Sequence, residues 1–312
     1  MSDANPSDAN PSDANPSDAN PSDANPSDAN PAATPPRRYA VLKLALVAVA
    51  SATFALTIAT RLLTAPLPNT LRMTDMTWVE VRSAIAQGYT HVIVPSGGIE
   101  QNGPHMILGK HDHIVRFAAE RIASELRRTL VAPVVSYVPQ GSYAPPEGNL
   151  RFPGTIGVPD DVYAGVLEGI AKSLKLAGFK TICLIADHGG SAKPQAELAQ
   201  RLSREWAADG VRVISVDDYY GAAGEEQSRL LIAQGETPKT IGQHAGITDT
   251  SELMAVHPQG VDLARLASFP FPREPTGADG DARRASAERG RALIALKVEA
   301  AVRQIRAAST GM

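Results

Sequence analysis

Histidines and carboxylates that could bind a metal ion or move a proton are concentrated in two short segments. The first segment covers residues 100–113 and contains Glu100, His105, His111, Asp112 and His113. The second is the run Asp187-His-Gly-Gly190. A carboxylate and imidazoles from separate loops can hold a divalent metal, which activates a bound water for hydrolysis. The same side chains are also compatible with a histidine cluster that only bonds the loop backbone, so composition alone leaves both interpretations open.

Apolar residues along the chain recur with alternating strand and helix periods. Short apolar runs predict strands at residues 91–94, 131–138, 181–186 and 211–216. Helical spacing predicts helices from a Thr77–Glu80 capping box to Gly88, and over residues 114–126, 162–174, 198–206 and 282–307. This alternation predicts an α/β fold, a three-layer sandwich with a mostly parallel central sheet. Both candidate segments follow a predicted strand, so we expect them at the carboxyl edge of one sheet, where such folds bind ligands.

The first 36 residues differ in composition from the rest of the chain. Residues 2–31 are six copies of Ser-Asp-Ala-Asn-Pro and contain no aromatic or β-branched side chain. Such a segment cannot bury enough apolar surface to offset its ordering entropy. Residues 1–36 are therefore predicted to be a disordered tail, and a solvated spacer is favoured over an array of ligand sites.

A run of 17 uncharged residues, 44–60, comes after the tail and three basic residues. As a helix it would be about 26 Å long, which approaches the thickness of a bilayer. Residues 37–65 are therefore predicted to be a transmembrane anchor or a signal segment. Because the positive charges precede the run, the N-terminus would stay in the cytoplasm and the rest would be exported. The domain would then be anchored at the inner membrane, or secreted or periplasmic if the segment is cleaved.

A short linker at residues 66–72 leads to a single predicted domain at residues 73–312. The chain carries a net charge of −3, and most of its charge asymmetry lies in the N-terminal segments, which leaves the domain nearly neutral. A neutral body excludes nucleic-acid binding, which needs a dominant basic surface. The single cysteine, Cys183, excludes an internal disulfide or a cysteine-rich zinc module, and its position in a predicted strand makes it a core residue.

Four motifs, in this order along the chain, resemble those of the creatininase family, the relatives of creatinine amidohydrolase. They are Ile99-Glu-Gln-Asn-Gly-Pro-His105, Phe152-Pro-Gly-Thr155, Asp187-His-Gly-Gly-Ser191 and His244-Ala-Gly-Ile-Thr-Asp-Thr-Ser251. The similarity extends over residues 76–260. It implies a creatininase-like fold and a hydrolase of carbon–nitrogen bonds.

The resemblance implies a metal site built from the first and third motifs. Carried over, the first-metal ligands are Glu100, His111 and His188, with His111 at a position where the family has a bridging carboxylate. Asn102 and Gly190 stand where relatives supply ligands to a second metal. One imidazole nitrogen cannot bridge two metals as a carboxylate does, so we expect one divalent ion. Zinc is the first choice, with manganese or iron as alternatives.

Four further positions receive roles from the same resemblance. His244 matches a histidine near the reacting centre and would act as general acid or base, although a structural role as a loop cap stays open. Asp249 would be a further ligand or would orient His244. His105 would bind substrate or support the metal ligands. Asn149, where relatives often have a histidine, is assigned to the substrate-binding pocket.

These expectations describe an exported or membrane-anchored, metal-dependent amidohydrolase acting on a small amide or cyclic amide. Metal-activated water would attack the carbonyl while His244 moves the proton. Creatinine itself is disfavoured because the second-metal and substrate positions differ. The alternatives are a non-catalytic ligand-binding module, favoured by the altered residues 102, 111 and 190, and a structural membrane-tethered protein. By resemblance alone we also expect a homo-oligomer.

Overall fold

The computed structural model describes residues 37–64, 69–268 and 276–309. The chain divides into two units, Met1–Leu56 and Thr57–Met312. The predicted disordered tail lies outside the described residues, as does part of the predicted linker. The bounds of these two segments therefore stay predictions.

Helix α1, Arg37–Thr64, includes the uncharged run at residues 44–60. The large apolar side chains described within it, from Val41 to Leu56, are exposed. In residues 37–64, 69–268 and 276–309, no helix combines the length and apolar character that a membrane span needs. The predicted transmembrane helix is therefore not supported.

In the part of the second unit that the structure describes, four parallel strands form the central sheet. In chain order they are β1 (His91–Ser96), β2 (Thr129–Val131), β3 (Thr181–Ala186) and β4 (Arg212–Ser215). Their order in the sheet is β2-β1-β3-β4, and every pair of neighbours is parallel. The parallel direction brings the loops after β1 and β3 to the same edge of the sheet.

Helices cover both faces of this sheet. They are α2 (Trp78–Ala86), α3 (Lys110–Leu126), α4 (Asp160–Ala177), α5 (Ala192–Glu205), α6 (Gly221–Ala233), α7 (Pro238–Ile241), α8 (Ile247–Val256) and α9 (Ala287–Ser309). Val92 and Val94 share a core cluster with side chains of α2, α4 and α5, whereas Ile93 shares one with α3 and α9. Alternate residues of a strand point to opposite faces, so the sheet is buried on both sides. The predicted α/β sandwich is confirmed.

The local predictions differ in how well they match the structure. The capping box is present, since the Thr77 side chain accepts from the Glu80 amide and the Glu80 carboxylate accepts from the Thr77 amide. Cys183 is fully buried, and burial raises the pKa of its thiol to about 12. The strand predicted at residues 131–138 is wrong in its bounds, because regular pairing ends at Val131. Pro133 has no N–H to continue a ladder, and only isolated bridges come after it.

Helices α8 and α9 pack at very short range. A Cβ atom at Gly290 of α9 would lie 1.8 Å from the carbonyl oxygen of Ser251 in α8. Only a residue without a side chain permits this approach. The contact brings Lys297 of α9 beside Glu252 of α8, which is how a C-terminal lysine reaches the interior of the domain.

Candidate active site

The loops after β1 and β3 bring the two candidate segments together. Ser96 and Ala186, the last residues of these strands, are paired in the sheet. The chain then continues to Glu100 on one side and to His188 on the other, where Glu100 Oε2 and His188 Nε2 are 2.8 Å apart. The predicted shared edge of the sheet is confirmed.

The Glu100 carboxylate is fully buried and faces four donor side chains. Its Oε1 lies 2.8 Å from His111 Nε2 and 3.6 Å from Lys110 Nζ. Its Oε2 lies 2.8 Å from His188 Nε2 and accepts from Asn149 Nδ2 at 2.7 Å. Burial alone would raise the pKa of Glu100, but His111, the bond from His188 and the charge on Lys110 outweigh it and hold the pKa well below its usual range. Glu100 is therefore ionised.

His111 links this carboxylate to a second one. Its Nδ1 lies 2.7 Å from Asp187 Oδ2, while its Nε2 faces Glu100. Burial and the nearby Lys110 ammonium lower the pKa of His111, but the two carboxylates outweigh them and raise it to about 9. Since both ring nitrogens meet carboxylate oxygens, His111 is an imidazolium that donates in both directions.

Asp187 in turn connects the site to the C-terminal helix. Its Oδ1 accepts from Tyr219 Oη at 2.8 Å and from Lys297 Nζ at 2.7 Å. Lys297 also donates to Glu252 Oε2 at 2.8 Å, and all three charged groups are buried. Burial raises the pKa of Glu252 to about 6, against the lowering effect of Lys297.

Lys110 was not identified from the sequence, yet it lies in the interior of the site. Its side chain is fully buried in the first turn of α3, and its ammonium bonds the Asp249 carboxylate. The second partner of Asp249 is the amide of Ala245, at 2.7 Å. Burial would raise the pKa of Asp249, but Lys110 and then His244 outweigh it and hold the pKa well below its usual range. Asp249 acts on His244 through this charge, which is a weaker role than the ligand or orienting contact predicted.

His244 is suited to accept a proton. Its Nε2 lies 2.8 Å from the carbonyl oxygen of Gln101, and a carbonyl only accepts, so Nε2 carries the proton and Nδ1 keeps a lone pair. Nδ1 is 3.7 Å from Glu100 Oε1. Burial and the Lys110 charge lower the pKa of His244, so the ring is neutral near pH 7. With Asp249, His244 lines a cavity of about 230 Å³ that also contacts Tyr220, Thr248 and Lys297.

The two residues assigned to substrate binding lie at different depths. Asn149 is half-buried and bonds both Glu100 and Gln140, so it holds the Glu100 carboxylate. His105 is only 2 % exposed, and its Nε2 bonds Thr250 Oγ1 at 2.9 Å. Burial and Lys110 lower its pKa to about 4. His105 therefore supports the start of α8, and contact of either residue with a substrate stays a prediction.

The acidic and imidazole side chains lie at the carboxyl edge of a parallel sheet, which is where α/β folds bind their ligands. A family model described as creatinine amidohydrolase matches residues 74–305. The chain belongs to the creatininase family of amidohydrolases, which act on carbon–nitrogen bonds. The resemblance drawn from the four motifs is thereby confirmed.

Individual relatives resemble most of the domain. Creatinine amidohydrolase of Pseudomonas putida is 26% identical over 251 residues, which are 74% of this chain and 95% of the relative. A solved structure named creatininase Mn is 26% identical, with a TM-score of 0.60 over 76% of this chain and 98% of that one. A mutant creatininase complexed with creatine is 25% identical, with a TM-score of 0.61 and the same coverage.

One of the similar structures is named as a manganese form, and manganese is one of the divalent metals that the resemblance implies. In this chain, however, the side chains as arranged do not fit a metal ion. Among the described residues, no group of three or more His, Cys, Asp or Glu could hold a metal ion. The amide of Gly190 donates to His188 Nδ1 at 3.1 Å, so His188 Nε2 carries the proton in this arrangement and would have to lose it to bind a metal. Both nitrogens of His111 are bonded to carboxylates, and a buried ammonium lies beside Glu100.

Proposed function

We propose that this chain hydrolyses a carbon–nitrogen bond of a small amide or cyclic amide at the cavity beside His244 and Asp249. The observation that carries the proposal is the neutral His244 ring, whose Nδ1 lone pair lies 3.7 Å from the ionised Glu100. A neutral imidazole next to a negative charge is a favourable base near pH 7. Membership in a family of amidohydrolases supports the same reaction type.

In the proposed reaction, His244 Nδ1 takes a proton from a water that attacks the carbonyl carbon. The neighbouring Glu100 and Asp249 carboxylates stabilise the imidazolium that forms, because they are ionised and within the same buried cluster. The carbon–nitrogen bond then breaks, and His244 returns the proton to the leaving nitrogen. The products are a carboxylic acid and an amine, or one amino acid if the substrate is cyclic. No step is assigned to a metal, since the side chains do not fit one as arranged.

The cavity limits the size of the substrate. Its volume of about 230 Å³ is below the range of sites that hold drug-sized ligands. The named relatives act on creatinine or hold creatine, which are also small. A polar lining with both Asp249 and Lys297 favours a substrate that carries its own charged or strongly polar group.

The experiment is a screen of small amides and lactams with the full purified chain, repeated with a chelator. For any substrate found, His244→Gln should lower kcat by about 100-fold or more, the range typical of a lost general base. His257→Gln is the matched control, because His257 stacks on His113 outside the site and should leave kcat unchanged. Unchanged turnover in His244→Gln contradicts the assigned role.

The ligand-binding module remains the second candidate, and one observation favours it. A buried ammonium and an imidazolium hold the Glu100 carboxylate, which therefore has little freedom to engage a reacting group. If the same amides and lactams shift the melting temperature of the chain without being hydrolysed, binding is the function and the hydrolase proposal is wrong.

We also propose that the domain acts outside the cytoplasm. The support is the placement of basic residues before the uncharged run at 44–60, which favours export of the residues on its C-terminal side. A reporter enzyme that is active only outside the cytoplasm should be active when it is fused after Met312. Activity of the reporter in the cytoplasm alone contradicts this proposal, and the expected homo-oligomer stays a prediction.

A further inference from the structure

The side chain of Lys110 is buried at the site, where lysine is rarely found. It is 1 % exposed, its ammonium bonds Asp249, and Nζ lies 3.6 Å from Glu100 Oε1. Lysine is almost never fully buried unless it is paired, because an isolated ammonium loses its hydration. Its position in the first turn of α3 adds to this cost, since the positive end of the helix dipole repels a cation. The two carboxylates must therefore offset both effects.

Three hydrogen bonds and one ion pair already engage the Glu100 carboxylate. An ionised carboxylate offers about four acceptor sites, two on each oxygen. Oε1 is bonded to His111 and faces the Lys110 ammonium at 3.6 Å, whereas Oε2 is bonded to His188 and Asn149. A metal ion on Oε2 would have to displace His188 or Asn149, and one on the remaining site of Oε1 would lie beside the Lys110 ammonium.

The buried lysines also oppose a divalent ion. Among the described residues of the cluster, Lys110 contacts the Glu100 and Asp249 carboxylates, and Lys297 contacts those of Asp187 and Glu252. Each of the four carboxylates therefore contacts a lysine. A divalent ion at Glu100 would add two positive charges a few ångströms from the Lys110 ammonium, which repels it.

We propose that Lys110 replaces the metal of the family as the cation that joins Glu100 to Asp249, and that the chain works without a metal ion. Lys110 is a positioning residue, because its ammonium is buried and acts through the two carboxylates beside the His244 cavity. The catalytic part of this inference rests on the proposed hydrolase function, whereas the absence of tight metal binding can be measured independently of turnover.

The test measures metal content and affinity on the full chain. After incubation with Zn²⁺ or Mn²⁺ and dialysis, the unmodified chain should retain no stoichiometric metal by elemental analysis. Lys110→Met removes the charge with similar side-chain length and should bind Zn²⁺ about 100-fold or more tightly than the unmodified chain, since one repelling charge is lost. Lys172→Met is the matched control, because Lys172 is an exposed lysine paired with Glu168, and its affinity should be unchanged.

Two further variants keep the outcome clear if Lys110→Met does not fold. Lys110→Arg retains the positive charge and should not gain metal, whereas Lys110→Met with His111→Asp supplies an extra carboxylate and should bind most tightly. The proposal is overturned if the unmodified chain retains one equivalent of metal, whatever the variants do. It is also overturned if a folded Lys110→Met binds Zn²⁺ no more tightly than the unmodified chain.

The two proposals fail in different ways. Turnover of an amide only after metal is added refutes the role of Lys110 and leaves the hydrolase assignment intact. A metal-free chain that hydrolyses no amide leaves the role of Lys110 as the family metal's replacement intact and refutes the hydrolase assignment. Turnover that persists in a chelator, with no metal retained, supports both.

Discussion

Replacing Lys297 by methionine tests the buried charge network that supports the site. Lys297 Nζ lies 2.7 Å from Asp187 Oδ1 and 2.8 Å from Glu252 Oε2, in a fully buried environment. Methionine keeps most of the side-chain volume but removes the charge and three donors. Asp187 keeps its bonds from Tyr219 and His111, whereas Glu252 keeps, among the described residues, only the bond from Gln227.

The expected loss of unfolding free energy is about 3–5 kcal/mol at pH 8, because one partner of a buried ion pair is removed. The loss should be smaller at pH 5. The folded-state pKa of Glu252 is already raised from 4.5 to about 6, and without Lys297 it rises further. A group whose pKa is higher in the folded state than in the unfolded state stabilises the fold while it is protonated. For Glu252 this stabilisation is present below pH 4.5 and is lost as the pH rises through the folded-state pKa. The variant therefore recovers stability by protonating Glu252 as the pH falls.

Urea unfolding followed by circular dichroism at pH 5 and pH 8 measures both effects. Lys172→Met, which breaks an exposed pair with Glu168, should cost less than about 1 kcal/mol at either pH. Adding Glu252→Gln to Lys297→Met should remove much of the pH dependence, because Glu252 then no longer titrates and Asp187 keeps its bonds from Tyr219 and His111. A loss below about 1 kcal/mol at pH 8, or an equal loss at both pH values, would refute the reasoning.

Two further outcomes are expected from other parts of the domain. The pKa of buried His105 is lowered from 6.5 to about 4, so the neutral ring should contribute roughly 3 kcal/mol to the free energy of unfolding. This contribution should be present above pH 6.5 and lost as the pH falls through 4. His105→Gln should flatten the curve of stability against pH over that window, and an unchanged slope contradicts the assignment. Gly290→Ala should lower the free energy of unfolding by more than about 3 kcal/mol, since its Cβ would overlap the Ser251 carbonyl. Gly169→Ala has free space on α4 and should raise the free energy of unfolding by about 0.5–1 kcal/mol. Similar thermal unfolding of both glycine variants would contradict the close packing of α8 and α9.

Features of the fold with a local cause were predictable from the sequence. The Thr77–Glu80 capping box and the apolar strands β1 and β3 depend on neighbouring residues, and both are present. The end of β2 also has a local cause, because Pro133 lacks the N–H that a longer strand needs. The apolar residues on both sides of Pro133 continue the strand pattern, so the sequence pattern predicted a longer strand.

The meeting of three predicted side chains could be inferred from the sequence, but their protonation could not. Glu100, His111 and His188 do meet, as the motifs implied. The sequence could not identify His111 as an imidazolium, since one of its carboxylate partners, Asp187, is distant in the chain. The state of a ring nitrogen depends on the groups that the fold places beside it.

The two buried lysines were missed for a related reason. A lysine in a sequence is taken as exposed by default, and only tertiary contacts can reverse that expectation. For Lys297 a local signal existed, because Leu293 and Ala301 lie four residues before and after it on the buried face of α9. For Lys110 no such signal existed, because the adjacent His111 and Asp112 make the segment resemble a solvent-exposed charged turn.

The long sequence separation within the charge network has a consequence for the nascent chain. Asp187 and Glu252 are synthesised before Lys297, the cation that both of them contact. Until α9 has emerged and docked on α8, burial of these carboxylates has no lysine to offset it, so they favour hydrated, partly open conformations. We therefore expect the active-site edge of the sheet to stay open until α9 docks, and a ribosome stalled before Lys297 should expose a protease-sensitive α8.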